Sequence, residues 1–145
     1  MNRNVVITGM GAVTPLGNTA PAFWEALKSG RSGISHLTRF DSSRLPSRIA
    51  GEVKNFSPEQ FMDPKEARRA DLFVQYAAAA AQEAIQDAGL DKTPPDPDRA
   101  GAIIGTGIGG ISTLEAQHRN MLEKGPSRIS PFFIPMMIAN MASGF

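Results

Sequence analysis

Two short apolar runs, at residues 5–7 and 100–104, constrain the fold more strongly than any other feature of this chain. A short, continuous apolar run is typical of a strand that is buried on both faces, and each of these runs is followed by a glycine-rich stretch. Helices are predicted at about 19–29, 67–88 and 113–124. Buried strands that alternate with helices favour an α/β fold, in which a largely parallel sheet is packed between helices.

Three capping signals mark where the helices begin. Thr19 is predicted to cap the first helix. Residues 63–66 read Asp-Pro-Lys-Glu, which places a capping acid, a first-turn proline and a returning glutamate at the expected spacing. Residues 112–115, Ser-Thr-Leu-Glu, form a second capping box. The long helix predicted at 67–88 contains nine alanines, which would let other backbones approach it closely.

The organisation of the rest of the chain is simpler. Short strands are expected around residues 34–37 and 49–53, joined by a loop. The sequence shows no internal repeat or low-complexity tract, so we expect residues 1–145 to form one region with no internal boundary.

Composition excludes several classes of protein. The net charge is +1, which gives no overall field for nucleic acid or an anionic membrane. No cysteine is present, which removes disulfides, cysteine metal sites and thiol nucleophiles. No apolar run approaches the roughly 20 residues that a membrane span needs, so a cytoplasmic location is expected.

The end of the sequence is unusually apolar. Ten of the sixteen residues at 130–145 are apolar, and no charged residue follows them. Exposing large apolar side chains costs very roughly 1.5–3 kcal/mol each, so something is expected to cover them. The cover could come from a partner subunit or from sequence beyond Phe145, and we favour the second.

The glycine turn, residues 105–110, fits the dinucleotide fingerprint G-x-G-x-x-G between a predicted strand and a helix. The ribose-binding acid expected about 20 residues later is missing, because the sequence there reads Gly-Pro-Ser-Arg. Three interpretations therefore stay open: a dinucleotide site, a turn in which glycine serves packing, and a loop that lines an acyl pocket.

A basic patch is formed by Lys65, Arg68 and Arg69, whose spacing puts them on one face of the predicted helix. It is either a solvated surface or a docking patch for an acidic partner. The two histidines, His36 and His118, have no metal-ligand or nucleophile partner at a recognisable spacing. The residues themselves therefore give no catalytic set and no metal site.

Four segments, at 5–17, 65–71, 105–110 and 130–135, closely resemble the β-ketoacyl-[acyl-carrier-protein] synthases, especially those of type II fatty acid synthesis. The resemblance implies the N-terminal part of a thiolase-like fold, incomplete in this chain. It also implies a decarboxylative condensation between an acyl-enzyme and malonyl-acyl carrier protein. The catalytic residues of the family are a cysteine, two histidines and a lysine, and all four are expected beyond Phe145. The resemblance implies no cofactor. We therefore expect no catalytic residue in this chain, and no activity from it alone.

The resemblance also assigns roles to residues that are present. Ile108, with Gly107 beside it, matches the gate of the acyl pocket, and Phe133 matches a residue that reaches the pocket of the neighbouring subunit. Lys65, Arg68 and Arg69 match the site that receives acyl carrier protein. The implied partners are that carrier, acyl and malonyl thioesters, and a second copy of the full-length protein. The alternatives are a non-catalytic partner like the chain-length factors of polyketide synthases, or a dinucleotide-binding module.

Overall fold

The computed structural model describes residues 4–145, and their contacts fall into two compact units. The first unit, called the hairpin unit because it contains a β-hairpin, holds the described residues up to Ser57 together with Ala79–Thr93. The second unit, called the turn unit because it contains the glycine turn, holds Pro58–Ala78 and Pro94–Phe145. No helix within residues 4–145 is long and apolar enough to cross a membrane.

The hairpin unit begins its regular structure with helix α1, Ala20–Lys28, as predicted. The Thr19 side chain accepts a hydrogen bond from the Ala22 amide at 3.3 Å. Pro21 lies in the first turn, where a missing N–H costs nothing, and Ser29 is the C-cap. The capping signals at the start of this helix were therefore sufficient to place it.

The expected short strands form an antiparallel hairpin of β1, Ile34–His36, and β2, Ile49–Gly51. Glu52 follows β2 directly and is buried, with 7% of its surface exposed. Its carboxylate accepts hydrogen bonds from the Thr38 amide at 3.0 Å and the Thr38 hydroxyl at 2.7 Å. The carboxylate thus joins the residue after β2 to the start of the loop between the two strands.

The buried strands predicted at 5–7 and 100–104 are wrong for this chain. Val5 is 96% exposed and Ile103 is 98% exposed, and neither run forms a strand. A buried strand needs hydrogen-bonded neighbours and cover on both faces, and within residues 4–145 neither run has them. The hairpin is accordingly the only sheet in the described part of the chain.

Helix α3 spans Leu72–Asp87, and its alanine-rich second half belongs to the hairpin unit. In that unit another backbone segment approaches the helix closely, as the alanines predicted. Added Cβ atoms at Gly9 and Gly11 would overlap the backbone oxygens of Ala84 and Ala80. The segment around these glycines therefore crosses directly over the helix backbone, which only small residues on both sides allow.

In the turn unit the helix predicted at 67–88 is interrupted, so that prediction is wrong in its first turn. Helix α2, Pro64–Ala67, begins at the predicted cap and ends after four residues, before α3. The Gln75 side chain donates hydrogen bonds to the carbonyls of Ala67, at 3.0 Å, and Ala70, at 2.9 Å. Two backbone acceptors at the break are thereby satisfied.

The remaining helices of the turn unit are α4, Ile111–Lys124, α5, Phe133–Met137, and α6, Met141–Gly144. Part of the apolar end of the sequence is covered within the unit, because Ala142 is buried. Ile134 and Phe145 stay more than half exposed, so part of it is not covered. The core of the unit consists of small and medium apolar residues: Met62, Ala67, Ala70, Val74 and Ala142.

The hydrogen bonds to Glu52 predict a pH dependence of stability. Those from Thr38 hold the pKa of the Glu52 carboxyl below its usual value. As the pH falls below about 4.3, the unfolded chain takes up this proton first, so Glu52 contributes progressively less stability. Thermal unfolding from about pH 6 to about pH 3 should show a steeper loss for the unsubstituted chain than for Glu52→Gln. Equal slopes would contradict this assignment.

Candidate functional site

The glycine turn lies against the C-terminal end of helix α5. The Gly110 amide donates to the Met137 carbonyl at 2.9 Å, and the Gly109 amide donates to the Thr106 hydroxyl at 3.1 Å. Gly107 is exposed, and the Ile108 side chain points outward with 69% of the residue exposed. The turn therefore holds an apolar side chain at the surface on a backbone that is fixed at one end.

Two glycines in the turn are required by packing. Gly109 has a φ of +84°, and a Cβ there would overlap the Met137 carbonyl. A Cβ at Gly110 would overlap the Met136 carbonyl and lie 3.0 Å from an Asp71 carboxylate oxygen. Added Cβ atoms at Gly105 and Gly107 meet nothing within 4 Å. The glycines at 109 and 110 thus serve close approach, whereas those at 105 and 107 leave open space around the turn.

Asp71 caps helix α4 from a distant part of the sequence. Its Oδ2 atom accepts hydrogen bonds from the Thr113 amide at 3.0 Å and the Thr113 hydroxyl at 2.6 Å. Both residues are buried, at 9% and 7% exposure. The capping box predicted at 112–115 is wrong, because α4 begins two residues earlier than predicted, at Ile111, and has no cap from its own N-cap side chain.

This cap bears on the dinucleotide interpretation of the glycine turn. A nucleotide phosphate would use the amides at the start of α4, and the Asp71 carboxylate already holds one of them. A fixed negative charge at that point would repel a phosphate. The sequence therefore contains the dinucleotide fingerprint, but Asp71 already occupies the helix N-terminus that would bind the phosphate.

The basic patch is solvent-exposed at all three positions. Lys65 lies in α2, Arg68 is the C-cap of that helix, and Arg69 follows it. The single helical face that the spacing predicted is therefore not formed, since α2 ends at Ala67. Among residues 4–145 none of the three pairs with a carboxylate, which leaves their charges available to a partner.

One member of the patch touches the segment that carries the predicted pocket residue Phe133. The Arg69 guanidinium lies over the Phe132 ring, 4.3 Å from its centroid, which is within cation–π range. Phe133 is half-buried at the start of α5. The Ser130 amide is held by Gln117 of α4 at 2.8 Å. The structure thus joins the patch, α4 and the start of α5 through named contacts.

The structure also contains a cavity that sequence reasoning missed, in the hairpin unit. Its volume is about 760 Å³. Glu83 accepts hydrogen bonds from the Ala12 and Ala20 amides at 2.8 and 2.9 Å, and Asp87 accepts one from Met10 at 2.9 Å. These carboxylates are thus occupied in holding the loop before α1. The cavity is lined by Met10, Ala20, Pro21, Trp24, Glu83, Gln86 and Asp87.

No group of three or more metal-ligating side chains is brought together within residues 4–145. Asp71 is the residue of the site that sequence analysis did not single out. The signals for it are its place at the end of the resembling segment 65–71 and directly before α3, and Thr113 lies 42 residues further along the chain. A contact over that separation has no local pattern from which it could be predicted.

Comparison with known protein families shows the class to which the chain belongs. Residues 2–145 match the family "Beta-ketoacyl synthase, N-terminal domain". Because the match covers almost the whole chain, the chain belongs to the β-ketoacyl synthase family. The resemblance inferred from the four sequence segments is thereby confirmed.

Two curated relatives give the comparison more detail. The chain is 54% identical over 142 residues to the 3-oxoacyl-[acyl-carrier-protein] synthase 2 of Synechocystis sp., covering 98% of this chain and 34% of that protein. It is 50% identical over 143 residues to the protein of the same name from Staphylococcus aureus strain COL, covering 99% and 34%. The chain therefore spans about a third of the length of these relatives.

A solved structure confirms the fold class. The ishigamide ketosynthase/chain length factor matches with a TM-score of 0.77 and 27% identity, over 94% of this chain and 34% of that chain. The chain thus has the fold of part of a thiolase-like ketosynthase. The strands predicted at 5–7 and 100–104 lack strand partners among the described residues.

The packing of the glycine turn leads to a test with a matched control. Gly110→Ala should reduce the free energy of unfolding by about 1–3 kcal/mol, because the new methyl group overlaps the α5 backbone. Gly107→Ala adds the same methyl group in open space and should change stability by no more than about 0.5 kcal/mol. Chemical unfolding of both variants measures the difference. Similar losses in the two would show that the turn does not pack as described.

Proposed function

We propose that this chain is a segment of a condensing enzyme that elongates acyl chains in fatty acid synthesis. The reaction would be a decarboxylative Claisen condensation between an acyl-enzyme and malonyl-acyl carrier protein. The observation that carries the proposal is the match, at 54% identity over 98% of the chain, to a 3-oxoacyl-[acyl-carrier-protein] synthase 2. The relatives' shared name states the reaction product and the carrier.

Within such an enzyme this chain would bind and position rather than react. Acyl transfer to the enzyme requires a nucleophile, and the family resemblance implies a cysteine. The chain has no cysteine. Its contribution would therefore be the alignment of acyl chain and carrier, which lowers the barrier by fixing reactants in place.

Lys65, Arg68 and Arg69 would receive the carrier protein. They are exposed, and no carboxylate among the described residues neutralises them. An acidic partner would be attracted over several ångströms before contact, which raises the association rate and makes it sensitive to salt. Arg69 would contact the carrier from a position fixed by the Phe132 ring.

Gly107, Ile108 and Phe133 would line the acyl pocket. Ile108 presents an apolar side chain from a turn that is fixed at Gly110 and open at Gly107. Phe133 stands at the start of the helix whose far end receives the Gly110 hydrogen bond. The turn would therefore line the pocket of its own subunit, and Phe133 would reach the pocket of the neighbouring subunit from the start of α5. The full-length protein would form a homodimer. A cytoplasmic location stays a prediction.

One other function has an observation in its favour. The matching solved structure is of a ketosynthase/chain length factor, which supports a non-catalytic, chain-length-factor-like partner as the alternative. The coding sequence after Phe145 separates the two: a cysteine in an Ala-Cys context indicates the enzyme, and glutamine there indicates the partner. The dinucleotide alternative is disfavoured by the Asp71 carboxylate at the start of α4.

A chimera tests the condensing function. This chain replaces the matching third of the Synechocystis relative, and the corresponding Staphylococcus aureus segment in the same position controls for the junctions. The chimera should form 3-oxoacyl product from acyl and malonyl carrier thioesters, whereas the 145-residue chain alone should transfer no acyl group. A folded chimera that forms no product, beside an active control, would contradict the proposal.

Charge reversal tests the docking role. Arg68→Glu should weaken binding of acyl carrier protein to this chain by about threefold to tenfold at low salt, through lost attraction and new repulsion. Lys92→Glu makes the same charge change at an exposed site in the hairpin unit and should have little effect. Calorimetric titration at low and high salt measures both. Unchanged affinity for Arg68→Glu at low salt would refute the docking role.

A further inference from the structure

Asp71 joins the beginnings of two helices in the turn unit. Its backbone carbonyl accepts the first hydrogen bonds of α3, from Val74 at 3.0 Å and Gln75 at 3.2 Å. Its side chain accepts the two hydrogen bonds from Thr113 that cap α4. A single residue thus fixes where both helices start.

The same carboxylate stands directly behind the glycine turn. A Cβ at Gly110 would lie 3.0 Å from the Asp71 oxygen, so the carboxylate lies beside the turn backbone and leaves no room there for a side chain. Ile108 lies two residues before Gly110 on that backbone. A shift of the carboxylate would therefore change the packing at the end of the turn that follows Ile108.

The chemistry of this contact makes it stiff. A buried carboxylate is tolerated only when it is hydrogen-bonded, and both bonds here go to one residue at a helix N-terminus, where the backbone dipoles favour negative charge. Charge-assisted hydrogen bonds are shorter and stronger than neutral ones. The 2.6 Å distance to the Thr113 hydroxyl is of that kind.

We propose that Asp71 is a positioning residue that sets acyl chain selection by fixing the glycine turn, and with it Ile108, against the start of α4. This inference rests on the proposed function. Asp71 itself touches no acyl group: it acts through Gly110 and Thr113. Loss of its charge would let the turn occupy more than one position, and the pocket would accept a broader range of chain lengths.

Glu52 offers a matched control for Asp71. It is also a buried carboxylate that accepts both the amide and the hydroxyl of one threonine, Thr38, and it belongs to the hairpin unit. Asp71→Asn and Glu52→Gln remove the same charge from the same kind of hydrogen-bonding site. Only the first change lies beside the glycine turn.

The first measurement uses the 145-residue chain. Asp71→Asn should raise amide hydrogen exchange at Gly110 and Thr113 by about 10- to 100-fold, and Glu52→Gln should not. Unchanged exchange at both amides in Asp71→Asn would overturn the inference whether or not the chain belongs to a condensing enzyme.

The second measurement uses the chimera and compares the lengths of its products. Asp71→Asn should change the ratio of the longest to the main product by at least about threefold, whereas Glu52→Gln should leave it unchanged. A lower total rate with the same ratio would overturn the inference, because a purely structural role reduces the amount of active protein without changing selection. If Asp71→Asn does not fold, Thr113→Val decides, since it removes the hydroxyl and keeps the amide; it should also change the ratio of the longest to the main product.

The two proposals fail separately. An unsubstituted chimera without condensing activity sinks the proposed function, and exchange at Gly110 and Thr113 still tests the contact. An active chimera whose product ratio is indifferent to Asp71→Asn and Thr113→Val sinks only the role of Asp71.

Discussion

The turn unit depends on one buried interaction, the pair of hydrogen bonds from Thr113 to Asp71. These bonds satisfy the start of α4, which has no cap of its own, and place a carboxylate against Gly110. The glycine turn can then run between that carboxylate and the end of α5 only because residues 109 and 110 have no side chain. The position of Ile108 follows from this packing rather than from any contact of Ile108 itself.

The same interaction changes the meaning of the glycine motif. In a dinucleotide-binding fold the glycines make room for a phosphate, and the helix N-terminus supplies its charge complement. Here the glycines make room for the protein's own backbone and for Asp71, and the complement is internal. A sequence motif records that space is needed at a position, but the tertiary partner determines what fills that space.

Local chemistry could be predicted from the sequence, and non-local chemistry could not. The caps at Thr19 and Asp63 and the hairpin around β1 and β2 were placed correctly, because each depends on residues a few positions apart. The break after Ala67 was missed because Gln75 stabilises it from the next helix. The strands at 5–7 and 100–104 were wrong because a strand exists only with its neighbours. The glycine turn and the basic patch were found from the residues, but the roles of Ile108 and of the patch came from family resemblance and stay proposals.

The central proposal has two parts. The basic patch receives an acidic carrier protein, and the glycine turn beside Asp71 lines the acyl pocket. Nuclear magnetic resonance of the isotopically labelled chain, titrated with acyl carrier protein, tests it most directly. The account predicts amide shift changes at Lys65, Arg68, Arg69 and Phe132 that weaken as salt is added. Shift changes confined to the cavity beside Trp24 or to the β1–β2 hairpin, or no changes at all, would contradict it.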